Sequence, residues 1–225
     1  MKKGQSHLVL VSESPTITQR PEAFPELLMN CLKSIIASLE EKDAYTHGHS
    51  VRVAEYSVIL ANALRLSPRE IQEIELAGLL HDIGKIGIPD SVLLKSSRLN
   101  RAEFELMKSH PARSGKILAA IGPLDSILPA IRNHHERFDG QGYPDGLRGE
   151  EIPLFARIIF IADTYDAMTS TRPYRLALEK ELAFRELRKY AGTQFDPDLV
   201  DAFIRAITQT NQTAENAEDD TALAA

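Results

Sequence analysis

The residues able to do chemistry are few and grouped. Six of the seven histidines stand at 47, 49, 81, 110, 134 and 135, and two aspartates follow apolar runs: Asp82 after LAGLLH and Asp163 after IIFIA. A lone buried carboxylate is too costly to keep, so each must face water or find a cation. For a single such aspartate, an ion pair or helix cap is the commoner answer. Two of them, with histidines on separate helices, shift the balance toward a metal site assembled inside a helical bundle. Imidazole and carboxylate donors without thiolate suit iron, manganese or catalytic zinc better than structural zinc. A carboxylate can also bridge two ions, and ions about 3.5–4 Å apart activate water and polarise a phosphoryl oxygen, as in-line phosphoester hydrolysis requires. The adjacent histidines of HHERFDGQGYP, residues 134–144, are ambiguous alone. Neighbours on a helix diverge by about 100°, so the pair equally suits a solvated polar helix end.

Three shorter matches fail on spacing or context. Gly84-Lys85 follows its upstream glycine one residue too late for a phosphate-binding loop, and Ile86 stands where serine or threonine is needed. GQGYPDG has a displaced third glycine and no preceding strand, so it is not a dinucleotide fingerprint. HHERF lacks the second histidine of a zinc-protease helix.

The elements that must position these residues read as helices. Apolar residues recur at helical spacing from Phe24 to Lys42, then from about His49 to Leu66. SPRE supplies Ser67 as N-cap, Pro68 at the first helical position and Glu70 three residues after the cap, opening a helix through Leu80. Further helices are expected over 100–109, 111–121, 124–135, 153–170, 177–191 and 197–209, and alternating strand patterns are nearly absent. The expectation is an all-α, single compact multi-helix bundle over 24–209. It is preceded by a polar, proline-punctuated leader over 1–23 and followed by a disordered tail over 210–225, where almost nothing can be buried. The helix at 24–42 has an apolar face wide enough for ordinary core packing, and dimerisation or signal input is its other use.

Composition limits the partners. At 225 residues, with 43% hydrophobic and 26% charged residues, the chain can bury a substantial core. A formal charge of −6 argues against a broad DNA- or RNA-binding surface. Cys31 is the single cysteine, so no intrachain disulfide forms; a reducing cytoplasm fits, with Cys31 expected to pack as a small apolar side chain. Only Leu8 to Val11 are continuously apolar near the start, too few for a secretion signal, and nothing approaches the ~18 residues of a membrane span.

HDIGKIGIPD, HHERFDGQGYP and IADTYDAMTSTRPYR, in this order and spacing, resemble the HD-GYP subgroup of the HD phosphohydrolases, from about Tyr45 to Phe203. The resemblance implies an HD-type helical bundle whose metal centre hydrolyses the bacterial second messenger cyclic di-GMP to pGpG, with GMP following where the site also accepts the linear dinucleotide. Carried over by residue, the implied metal ligands are His49, His81, Asp82, His110, His134, His135 and Asp163, with Asp82 bridging and each ring of the adjacent pair serving one metal. Some members carry a glutamate four residues before the first histidine that supports a third metal. Here Tyr45 holds that place, so two divalent ions, iron or manganese, are implied. His47 is read as a surface residue or one that touches a ligand from outside.

Lys85 is implied to place a cation on the scissile phosphate, acting with Asp82 in catalysis. Arg172 and Arg175 resemble phosphate and guanine contacts, with structural ion pairs as their alternative. Tyr143 is expected to approach the ligand, while Gly140, Gly142 and Pro144 shape the turn and Asp139 holds it. One departure stands out: LLKSSRLN replaces the usual proline-glycine step, and Ser96-Ser97 loosen a loop beside the expected site. The enzyme reading therefore stands beside two others, a catalytically silent cyclic di-GMP sensor that docks signalling partners and an HD phosphohydrolase of another nucleotide.

Overall fold

The computed structural model describes residues 30–38, 48–121, 124–171 and 176–223. Among these the chain is helical without a strand, and one isolated bridge joins Ala191 to Phe195. Helix α1 covers 30–38. It is followed by α2 (His49–Ala63), α3 (Pro68–Leu80), a 3-10 turn (Ile83–Gly87), α4 (Asp90–Leu93), α5 (Arg101–Met107), α6 (His110–Leu118) and α7 (Leu128–Asn133). A second 3-10 turn (Gly149–Glu151) leads to α8 (Leu154–Thr169), α9 (Lys180–Lys189) and α10 (Pro197–Leu223).

Apolar patterning decides which helix is central. LFARIIFIA is apolar on nearly every face, so α8 is buried on most sides, packing against α2, α7 and α9. Ile158, Ile159, Ile161 and Ala162 are fully enclosed. In α9 only Ala183, Phe184 and Leu187 are buried, one stripe on an otherwise charged helix. Tyr165 of α8 stacks on Phe184 at 5.7 Å and meets Tyr56 of α2 edge-on at 5.0 Å, which locks the three helices together.

Local signals set the helix starts. Ser67 Oγ accepts from Glu70 N at 3.3 Å while Ser67 N donates to Glu70 at 2.8 Å, the reciprocal cap that SPRE predicts. Asn100 and Glu103 repeat it at the start of α5, at 2.9 and 2.8 Å. Glu103 also accepts from Lys95, so the KSSRLN loop is fastened across its length despite its two serines.

Two expectations are corrected. Cys31 is exposed, because α1 buries only Leu32 and Ile36 and its cysteine lies off that stripe. The backbone is helical to Leu223, where composition predicts a disordered tail from 210. No glycine or proline interrupts 198–223, and extending a helix whose first turns are already docked needs no new nucleus. The parts of the 24–42 helix beyond 30–38 lie outside the described residues.

Candidate metal centre

Helix ends build the site. His81 caps the C-terminus of α3, His134 caps that of α7, and His110 follows closely on the end of α5. The last carbonyls of a helix lack intrahelical partners. Here they accept from imidazoles: the Nδ1 atoms of His81, His110 and His134 lie 2.7, 2.8 and 2.7 Å from the carbonyls of Gly78, Met107 and Ile131. Each Nδ1–H donating outward leaves the Nε2 lone pair facing inward, the tautomer a metal requires. His49 does the same with a side chain, its Nδ1 being 2.7 Å from Asp166 Oδ2.

All seven residues singled out in the sequence converge. The ligand atoms of His49, His81 and Asp163 lie within 4.8 Å of one another, and so do those of His110, His134 and His135. Asp82 stands between the trios with one oxygen toward each. Its Oδ2 is 3.3 Å from His81 Nε2 and 3.9 Å from His49 Nε2; its Oδ1 is 3.0 Å from His110 Nε2 and 3.9 Å from His134 Nε2. His81 Nε2 and Asp82 Oδ1 are nevertheless buried without a hydrogen-bond partner, because these approaches are poorly aligned for one. Buried polar atoms are rarely left so. A converging set of lone pairs with no donors among them fits divalent cations.

The electrostatics agree with that fit. Burial opposes charge on Asp82, yet Lys85, 2.6 Å away at Nζ, and then His81 and His110 hold its carboxyl well below the ordinary range. Burial drives His134 well below its ordinary value and His135 down to about 3, so both rings are neutral donors. His81 is the exception: Asp82 outweighs its burial and holds it above its ordinary value, so its ring gives up a more tightly held proton when it serves as a ligand.

The adjacent pair escapes the divergence expected of helical neighbours because α7 stops at Asn133. The two rings then lie 4.2 Å apart between centroids, on one side. The turn that follows has a cis Tyr143-Pro144 bond and a left-handed Gly140, φ 78°. Gly142 is needed for closeness rather than for positive φ: a Cβ there would lie 2.2 Å from Arg137 N. Asp139 Oδ1 accepts from Gln141 N at 3.0 Å, the expected Asx turn, and Arg137 grips the same carboxylate. Tyr143 N donates to the His135 carbonyl at 3.2 Å, and its ring lies 5.0 Å from the His135 ring.

Three supporting residues escaped the sequence reading. Asp166, one turn beyond Asp163 on α8, is held by Arg52 and Ser170 as well as His49; those partners outweigh burial and set its carboxyl to about 2. The spacing DTYD is its one advance signal. Ser114 Oγ accepts from Gly84 N and donates to the His81 carbonyl, both at 2.8 Å. Glu136, beside the pair, accepts from the amides of Asp145 and Gly146 at 2.6 and 2.9 Å and so closes the turn. Tyr45, His47, Arg172 and Arg175 lie outside the described residues.

A family model described as an HD domain matches residues 30–199. The chain belongs to the HD domain family. It is 41% identical over 223 residues to the cyclic di-GMP phosphodiesterase response regulator RpfG of Xanthomonas campestris pv. campestris, covering 91% of this chain and 58% of that protein. It is 40% identical over 184 residues to a cyclic di-GMP phosphodiesterase of Thermotoga maritima, covering 81% of this chain and 50% of the other. The HD chain thus spans about half the length of these relatives. Its fold matches the crystal structure of a cyclic GMP-AMP specific phosphodiesterase of Vibrio cholerae, with a TM-score of 0.64 at 22% identity, over 80% of this chain and 49% of that one. No helix among the described residues is long and apolar enough to cross a membrane.

Proposed function

We propose that this HD protein is a metal-dependent phosphodiesterase that hydrolyses cyclic di-GMP to pGpG, and to GMP where the site also accepts the linear dinucleotide. The observation that carries the reading is the pair of trios, His49, His81 and Asp163 and then His110, His134 and His135, around one bridging-type carboxylate, whose Oδ2 faces His49 and His81 and whose Oδ1 faces His110 and His134. Two divalent ions, iron or manganese, suit this thiolate-free donor set. When bound, they supply a nucleophile from water at neutral pH and Lewis-acid polarisation of the phosphoryl oxygens. The chain's own residues do the rest. Lys85 brings an ammonium to Asp82, where it stabilises developing phosphate charge, Asp166 orients the His49 ring, and Tyr143 stands beside His135. Arg172 and Arg175 contact phosphate and guanine, and the protein works in the cytoplasm. The names of the relatives support cyclic di-GMP as substrate, while the structural neighbour named for cyclic GMP-AMP makes that nucleotide the second candidate.

Anaerobic purification, metal analysis and turnover with chromatographic product identification test this reading. Iron- or manganese-loaded protein is expected to cleave cyclic di-GMP faster than cyclic GMP-AMP, and Asp82→Ala is expected to cleave neither. Tight cyclic di-GMP binding without turnover in either metal form would replace the enzyme with a sensor.

A further inference from the structure

Helix α5 contains no buried residue, yet it carries a large aromatic side chain: Phe104 is 49% exposed. The core does not explain it. Lys108, one turn on, places its Nζ 5.4 Å from the Phe104 ring centroid and 5.9 Å from that of Tyr143. Tyr143 in turn lies 5.0 Å from the His135 ring. These contacts form a run leading outward from the ligand cluster through Tyr143 and Lys108 to Phe104. The run ends at a half-exposed aromatic face beside a cation.

We infer that Phe104 and Lys108 form a guanine subsite, Phe104 as stacking platform and Lys108 as the donor that distinguishes guanine from adenine. The inference rests on the cluster being a phosphodiester site. An exposed aromatic face accepts any base, and such stacking is sequence-tolerant. A lysine ammonium beside it adds preference, because guanine presents two acceptors, O6 and N7, where adenine pairs one acceptor with an amino donor. Glu105, 2.8 Å from Lys108 Nζ, anchors the ammonium from the same helix and leaves it beside the two rings. Neither side chain reaches the reacting atoms, so both set affinity and specificity rather than chemistry.

Calorimetric titration of the manganese-loaded full chain with GMP, AMP and ribose 5-phosphate tests this. Phe104→Leu is expected to weaken GMP binding about fivefold to a hundredfold, leave ribose 5-phosphate unchanged and be rescued by Phe104→Trp. Lys108→Met is expected to erase most of the preference for GMP over AMP. Unchanged GMP affinity in Phe104→Leu, equal loss of ribose 5-phosphate, or wild-type binding indifferent to the base would overturn the subsite. The two proposals fail separately. Base-dependent binding by a wild type that leaves cyclic di-GMP uncleaved keeps the subsite and removes the phosphodiesterase, whereas cleavage with KM unmoved by Phe104→Leu does the reverse.

Discussion

The metal-type cluster and the rim beside it are built by opposite means. At the cluster, His81, His110 and His134 are oriented by backbone carbonyls at helix ends, and His81 and His134 are fully enclosed. At the rim, Phe104, Lys108 and Tyr143 are set by side-chain contacts around an ammonium that is itself partly exposed. A carbonyl at a helix end cannot move without unwinding the helix, so the cluster inherits the rigidity of the bundle. Rim contacts cost little to rearrange. The consequence is a fixed reaction centre beside an adjustable recognition surface.

The largest effect expected is at the cluster. Asp82→Ala removes the group facing both trios and should lower turnover at least about a thousandfold, several kcal/mol of transition-state stabilisation; chelation should do the same. Initial rates and bound-metal analysis check both, and residual turnover near wild type would break the comparison. Asp166→Asn acts on the cluster only through His49. It should weaken metal affinity roughly 10–100-fold, as loss of a ligand's outer partner does, whereas Phe104→Leu should leave metal content unchanged. Competitive metal titration separates the two.

Gly142→Ala lies between the regions. Its Cβ would collide with the backbone of residues 136 and 137, next to His135, so the turn must shift at a cost of about 1–3 kcal/mol in denaturant unfolding. The smallest effect belongs to Asp139. Its hydrogen bonds from Arg137 lower its pKa, against a slight opposing effect of burial. A depressed carboxylate stabilises the fold above its unfolded pKa of about 3.9, and that contribution is lost as pH falls through the folded value. Asp139→Asn should therefore cost no more than about 1 kcal/mol near pH 6, with the gap to wild type closing on acidification toward pH 3 in urea titrations.

Much of the site was legible because its residues are chemically conspicuous. A buried aspartate after an apolar run is hard to explain without a cation, and Asp82 and Asp163 both meet the histidines that sequence reasoning associated with them. Asp166, Ser114 and Glu136 were not legible. Each acts by holding another group, and a polar side chain has a solvated alternative until its partner, across the bundle for Asp166 and Ser114 and across the turn for Glu136, is known. Phe104 carries no signal in the chain; its exposure and its lysine neighbour appear only when α5 is seen to lie outside the core.

By itself the sequence determined the helical character, the SPRE cap and the inventory of donors, because these follow from local periodicity and from the side chains themselves. Tertiary structure decided which donors share a trio, which oxygen of Asp82 faces each, and how two adjacent histidines come to point the same way. It also decided that Cys31 is exposed and that the final helix continues to Leu223. Those outcomes depend on where one helix stops against another, and helix ends meeting across a bundle leave no periodic trace in the chain.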